Sequence, residues 1–372
     1  PAIVREFNST PAQGQLSVSI FMLGFGFGQL CYGPFSDYYG RLPLLKSGLT
    51  FYVFASLFCW WAASMEMFLA ARLLQGVAAA SGPVVARAIV VDIYKRNEAV
   101  RVMGYLASAM AIVPAIAPII GSLLLHWFSW HSHFIALALF ASAGLLGVLL
   151  VLTETSPSKG QNKPHISTII TQIPHYLMQL QFAGYLLIGS SIFAGMFAYI
   201  SNSSFLVIEL IGVPAEQFGY VFAFVVLGYM AGAYSGARLV SRFGQRDCMR
   251  LGLVIALLGA SALLAYSVFV AQTTLAFMAP LAMYCFAAGI LLPNSQASAL
   301  TLFPGSAGGA SSVYGFASIL IGATSGALVG ELYNGTALPI AAGVFCGSLM
   351  AVLAFTLLIK PKKPDVEQLA ET

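Results

Sequence analysis

Long apolar runs recur along the whole chain with only short polar breaks, and this constrains the fold more than any other feature. Each run has the roughly 20 residues needed to cross a hydrocarbon core of about 30 Å. Only 8% of the 372 residues are charged, against about 25% in soluble domains. Lipid cannot satisfy open backbone groups, so the spanning elements are helices. The short alternating segments of a membrane β-barrel are not seen. Eleven spans are predicted, over 14–35, 44–64, 67–91, 102–125, 132–152, 182–207, 216–238, 248–269, 273–296, 308–331 and 336–359.

Assigning the loops alternately to two sides gives one side 15 of the 17 Lys and Arg residues: Arg41, Lys46, Arg87, Lys95, Arg96, Arg101, Lys159, Lys163, Arg238, Arg242, Arg246, Arg250, Lys360, Lys362 and Lys363. Arg5 falls on the other side and Arg72 inside a span. The positive-inside rule makes the rich side cytoplasmic and places the C-terminal tail there. The net charge of +4 is thereby explained without a nucleic-acid partner. The chain begins at Pro1 on the outer side with no signal peptide, and we expect a further span before it.

Residues 154–181 break the apolar pattern. The stretch 155–164 is rich in turn formers, and an amphipathic piece follows, with Ile166, Ile169, Ile170, Ile173 and Leu177 at helical spacing along the inner membrane surface. The predicted organisation is an N-terminal helical half (1–153), a cytoplasmic linker (154–181), a six-helix half (182–360) and a cytoplasmic tail (361–372). A Gly-containing basic turn ends the first span, Gly33 to Arg41, and another ends the second span after the linker, Gly236 to Arg246. Repeats of this kind are a transporter architecture with substrate held between the halves.

The run Gly33-Pro34-Phe35-Ser36-Asp37-Tyr38-Tyr39-Gly40-Arg41-Leu42-Pro43 resembles the signature loop of the major facilitator superfamily. Arg72-Leu73-Leu74-Gln75-Gly76, the stretch from Ala86 to Tyr94, the stretch from Pro114 to Gly121, Tyr199-Ile200-Ser201, Gln217-Phe218-Gly219 and Pro293-Asn294 resemble its Bcr/CflA drug:proton antiporters. That family usually has Arg where Tyr38 stands and a second basic residue at Leu42, so the loop is less charged here. The resemblance implies a major facilitator fold of two six-helix halves, with the first span absent from this sequence. It also implies proton-driven export of small amphipathic drugs across a bacterial inner membrane, with no cofactor beyond the proton gradient, from a chain expected to be monomeric.

Several residues are candidates for that work. Arg72 is an intramembrane cation, which defaults to a functional hypothesis, and Gln75 shares its helix face. The resemblance places them at the central cavity, in proton coupling. No acid of the thirteen lies near the centre of a span, so the protonatable carboxylate is expected in the preceding span. Gly33, Asp37, Gly40, Arg41 and Asp92 are expected to form a cytoplasmic gate, with Asp37 at a helix N-terminus and Arg41 bridging to Asp92. Such a lock is expected to break when the cavity opens inward. Pro114, Pro118 and Gly121 resemble the antiporter-associated kink, and Gly315, Gly322 and Gly326 are expected to pack helices in the second half. Phe193, Phe197, Tyr199, Asn202, Asn294 and Gln296 are the expected substrate cavity, since aromatic walls with a few polar groups suit amphipathic ligands.

His126, His131 and His133 share one outer loop without a supporting acid or Cys, and no metal site is expected. The five cysteines lie in apolar segments without a CxxC pair and read as packing residues. No Walker A sequence and no hydrolase pattern is present, so an enzyme is not expected. An uptake permease or uniporter of the same fold, and a non-transporting membrane protein, remain alternatives.

Overall fold

The computed structural model describes residues 2–94, 102, 106, 113, 116–156, 160, 166–269, 274–303 and 307–359. Among these residues the regular structure is entirely helical. Among the described residues ten helices are long and apolar enough to cross a membrane, so the protein is multi-pass. They are α2 (Pro11–Tyr39), α3 (Arg41–Trp61), α4 (Met65–Ala79) continuing into α5 (Ser81–Ile93), α7 (His131–Val151), α9 (Leu180–Ser204), α10 (Phe218–Phe243), α11 (Gln245–Phe269), α12 (Thr274–Thr301), α13 (Ala307–Glu331) and α14 (Leu338–Leu358). The eleventh expected span, 102–125, contains the apolar helix α6 (Ile116–Trp127) and otherwise lies largely outside the described residues. A short α1 (Ala2–Glu6) precedes the bundle, and α8 (Ile166–Leu177) occupies the amphipathic stretch after residue 160.

Local signals set the helix ends. Thr10 caps α2 by accepting from the Gln13 amide at 3.3 Å, with Pro11 in the first turn where its missing N–H costs nothing. Ser64 caps α4 in the same way through the Met67 amide at 3.2 Å. Gly40, at φ 102°, ends α2 and starts α3 in one residue, a backbone conformation that favours glycine. The expected single span over 67–91 is interrupted at Ala80. Pro83 is the reason: it lacks an N–H, and its ring clashes with the carbonyl four residues back, at Ala79.

Between membrane helices close packing takes the place of the hydrophobic effect, and small residues let backbones approach. Gly24 and Gly28 of α2 face the Leu73 and Val77 backbone of α4, and Gly76 of α4 faces Phe21 of α2. Gly228 and Gly232 of α10 lie against Ala282 and Phe286 of α12, and Gly289 of α12 lies against Tyr229 of α10. The same arrangement therefore occurs twice. The pairs α2–α4, α3–α4 and α3–α7 of the first group recur as α10–α12, α11–α12 and α11–α14 in the second. Helix α9 sits innermost, against α12, α13 and α14, and buries most of its length.

The two groups meet along α2 and α13. Gly26 faces Phe316 and Ile319, Phe27 lies 5.6 Å from the Phe316 ring, and Gln15 fills the space over Gly330. They meet again where Gly219 of α10 presses on Pro118 of α6 and donates its amide to Ser122 Oγ at 2.9 Å. Arg41, Arg238, Arg242, Arg246 and Arg250 collect at one end of the bundle, called the basic end below. The Arg5–Glu209 and His126–Glu216 pairs lie at the opposite end.

Candidate functional site

The basic end holds a buried charge cluster. Arg41 keeps 8% of its side chain exposed and Asp92 9%. The Arg41 guanidinium donates through Nε to Asp92 Oδ2 at 2.8 Å and through Nη1 to Ser36 Oγ at 2.6 Å, and it pairs with Asp37 one helical turn earlier. Asp37 is 54% exposed. Taking a guanidinium out of water is tolerable here because Nε and Nη1 find acceptors, two of them carboxylates.

Sequence reasoning missed Glu154. Its Oε1 accepts from the Arg41 amide at 2.8 Å, from Thr155 at 3.0 Å and from Ser156 at 3.1 Å. A carboxylate thus stands at the positive N-terminus of α3, where the helix dipole and unpaired amides favour it. That is the role expected of Asp37. Residues 154–156 and Gly160 lie over the turn: Thr155 Oγ1 reaches Asp92 at 3.4 Å, Ser156 Oγ reaches the Asp37 carbonyl at 3.1 Å, and the Gly160 amide donates to the Tyr38 carbonyl at 2.9 Å. An added Cβ at Gly40 would strike Glu154. The available signal was an acid placed just past the end of an apolar span, which also reads as an ordinary loop charge.

Between the groups, in the half of the bundle nearer the basic end, is a cavity of about 560 Å³. Gln29, Gly33, Arg87, Phe193, Gln296 and Tyr314 are on its wall. A Cβ at Gly33 would meet nothing within 4 Å. The cavity therefore lies at the basic end while α2–α13 and α6–α10 contacts close the opposite end. The Arg41–Asp37 and Arg41–Asp92 pairs are intact in this state, all within the first helix group.

Of the six residues expected to line the cavity, Phe193 and Gln296 do. Phe197 stacks behind Phe193 at 5.8 Å and is fully buried against Gly322 and Gly326. Tyr199 is buried on the far face of α9, its ring 5.8 Å from Phe222. Asn202 is buried and donates to the Ala198 carbonyl at 2.7 Å and to Ser201 Oγ at 2.9 Å. Asn294 donates to the Ile290 carbonyl at 2.6 Å and faces α11. Phe197 shares the Phe193 face but lies one turn deeper, while Tyr199, Asn202 and Asn294 belong to cavity helices but point to other faces, where their polar groups are used within the bundle or left facing apolar neighbours.

Arg72 and Gln75 pair as their spacing predicts, Arg72 Nη1 donating to Gln75 Oε1. Gln75 is fully buried and donates to Ser56 Oγ at 2.8 Å, so it faces the core. The Arg72 guanidinium lies 4.4 Å from the Phe21 ring centre and 6.0 Å from that of Phe134, with Nε 3.4 Å from the Ser17 carbonyl. These cation–π and carbonyl contacts hold the charge; among the described residues no carboxylate is within ion-pair distance. Arg72 lines a second cavity, of about 510 Å³, toward the opposite end, together with Pro118, Gly121 and Phe222. Arg72 and Phe193 thus line different cavities here.

Pro114 lies outside the described residues. Pro118 meets Gly219 of α10, and Gly121 faces His133 of α7. Gly315 lies beside Gln29 on the cavity wall, and Gly322 and Gly326 seat Phe193 and Phe197. The three outer histidines are separately engaged: His126 with Glu216 at 3.1 Å, His131 with Glu6 at 3.7 Å, and His133 between the Trp130 and Gly121 carbonyls at 2.9 Å each. Among the described residues no group of three side chains could hold a metal, and the cysteines are free.

Comparison with known proteins agrees with this geometry. The chain is 28% identical over 359 residues to the bicyclomycin resistance protein homolog of Haemophilus influenzae, covering 96% of this chain and 89% of that one. It is 28% identical over 360 residues to a chloramphenicol resistance protein of Pseudomonas aeruginosa, covering 95% and 83%. Two solved structures share the fold. The human organic anion transporter MFSD10 is 21% identical with a TM-score of 0.64, covering 93% of this chain and 83% of that one. The xylose transporter XylE of Escherichia coli, in a partially occluded inward open conformation, is 14% identical with a TM-score of 0.73, covering 97% and 91%. The profile of the Major Facilitator Superfamily, a family of transporters rather than enzymes, matches residues 1–325 and again 186–372. The chain belongs to the Major Facilitator Superfamily.

Proposed function

We propose that this protein exports small amphipathic drugs, antibiotics among them, across a bacterial inner membrane in exchange for protons. The observation that carries the reading is the cavity of about 560 Å³ between two similarly packed helix groups, walled by Phe193 and Gln296 and closed at the opposite end by the α2–α13 and α6–α10 contacts. A site between two repeats that rock against each other suits alternating access. The resistance-protein names of the relatives support drugs as the cargo.

The finer organisation follows the same reading. Residues 1–153 and 182–360 are the moving halves, 154–181 a cytoplasmic linker, and 361–372 a cytoplasmic tail. The basic end is cytoplasmic. Arg72 takes part in proton coupling, because a cation inside the bundle with no carboxylate within ion-pair distance among the described residues responds strongly to any nearby change of charge. Arg41, Asp37 and Asp92, with Gly33 and Gly40, form the rigid hinge of the cytoplasmic gate, and Pro118 and Gly121 the crossing on which α6 turns. The protein works as a monomer with drug, protons and bilayer as its partners, the proton gradient as its energy source and no cofactor.

The test is drug-driven proton release from the protein in proteoliposomes, alongside Arg72→Ala. The expected result is a drug-dependent proton signal that the variant loses while still inserting normally. A uniporter is the second reading, favoured by the lack of a carboxylate beside Arg72 among the described residues; it predicts drug flux with no proton signal.

A further inference from the structure

We propose that the cavity at the basic end selects neutral and anionic amphipathic compounds, those presenting a carboxylate or another strong acceptor to Arg87, and excludes lipophilic cations. The proposal rests on the export reading and adds the chemical class of the cargo.

Charge makes the argument. Among the described residues that line the cavity, Arg87 carries the only formal charge, and no carboxylate is on the wall. Arg87 donates through Nε to the Pro83 carbonyl of its own helix at 2.8 Å. That bond fixes the plane of the guanidinium and leaves its outer nitrogens for whatever enters. The nearest acid on the same helix, Asp92, is five residues on and committed to Arg41 at 2.8 Å. Among the described residues Arg87 therefore has no internal counter-ion and stands at the cavity as a pre-oriented fork, the arrangement that matches carboxylate geometry.

The remaining polar groups are neutral. Among the described residues the amides of Gln29 and Gln296 form no hydrogen bonds within the protein, and Ser318 Oγ has no partner. Tyr314 is held in place by its 2.8 Å bond to Ser295 Oγ. Phe193 supplies the apolar wall, backed by Phe197. An anion entering this space exchanges its hydration for Arg87 and two amides. A cation loses hydration, meets a like charge and finds no carboxylate to replace the lost water.

The experiment uses the 372-residue chain in inverted membrane vesicles with three probes of similar size: nalidixic acid as a carboxylate, chloramphenicol as a neutral compound and ethidium as a cation. Binding of nalidixic acid to the purified protein is measured in parallel. The expected result is uptake of the first two and not of ethidium. Arg87→Gln lowers the nalidixic acid to chloramphenicol ratio roughly tenfold, as loss of one charge-assisted contact does, and Arg87→Lys restores much of it. Ethidium transport at a rate like that of chloramphenicol, or an unchanged ratio in Arg87→Gln, overturns the proposal and leaves the export reading standing. If folded protein transports nothing, the export reading falls, and the binding measurement decides this proposal alone: Arg87-dependent affinity for nalidixic acid keeps it, and Arg87-independent affinity ends it.

Discussion

The charge cluster around Arg41 predicts a rank order that its amino-acid composition alone would not. Three carboxylates, Asp37, Asp92 and Glu154, touch the same residue, yet they are not equivalent. Asp92 is 9% exposed and meets a guanidinium that is itself 8% exposed. Removing one partner of a buried pair costs about 3–5 kcal/mol, because the other charge is left without compensation. In Asp92→Asn, Arg41 retains Ser36 at 2.6 Å and its pairing with Asp37, so the loss falls to about 1.5–3 kcal/mol, the value of a charged hydrogen bond. Glu154→Gln keeps an acceptor for the Arg41, Thr155 and Ser156 amides and loses the charge–dipole attraction at the α3 N-terminus, about 0.5–1 kcal/mol. Asp37→Asn removes an ion pair that is more than half exposed on the acidic side, worth under about 1 kcal/mol. Thermal unfolding of the three purified variants in one detergent, followed by tryptophan fluorescence, should therefore rank them Asp92→Asn lowest, then Glu154→Gln and Asp37→Asn close to the parent. Asp37→Asn melting below Asp92→Asn would refute the assignment of the buried pair as the structural anchor.

Other consequences follow from the packing and the cavity. Gly232→Leu drives a side chain into the Phe286 backbone of α12, and should abolish folded protein as judged by size-exclusion chromatography, whereas Gly33→Ala, with open space at its Cβ, should not. Phe193→Ala should raise the KM for an exported drug several-fold with modest change in melting temperature. Asn202→Ala should do the reverse, because its amide bonds are spent within α9 and on the Gly326 carbonyl; the two variants compared in one transport assay and one melting assay separate cavity from core. Ser122→Ala removes the acceptor of the Gly219 amide, costs about 1 kcal/mol, and should favour opening of the opposite end, read as faster labelling of a nearby introduced cysteine.

Span positions were legible in the sequence because lipid imposes a length and a polarity that few other environments do. Ten expected segments coincide with spanning helices to within a few residues. The Arg41–Asp92 bridge was legible too, since charges at the ends of apolar helices have few places to go. Which face of a helix meets the cavity was not. Phe193 and Phe197 are one turn apart, yet one lines the cavity and the other is core, because apolar side chains cover nearly every face of these helices and periodicity no longer marks an inside. Asn202 and Asn294 drew attention as polar groups in apolar helices; their amides instead bond the carbonyls four residues back, a local solution open to any helix. Glu154 was hidden for a different reason. Of its partner amides the one that fixes the α3 N-terminus belongs to Arg41, 113 positions away in the chain, and nothing in the local sequence points there. Arg87 was counted only as a topological charge, since its place on the cavity wall depends on how α5 turns after the break at Ala80.

The account rests on two helix groups that separate at the end where Gly219 meets Ser122. The most direct measurement is a cysteine pair beside that contact, where the exposed His126 and Glu216 side chains meet at 3.1 Å: His126→Cys with Glu216→Cys, in a background lacking the five native cysteines, joined by a short disulfide-containing bismaleimide, with drug transport assayed before and after cross-linking and again after reduction. The account predicts that the cross-link forms readily, stops transport, and that reduction restores it. Undiminished transport through protein shown to be fully cross-linked would contradict alternating access at this interface.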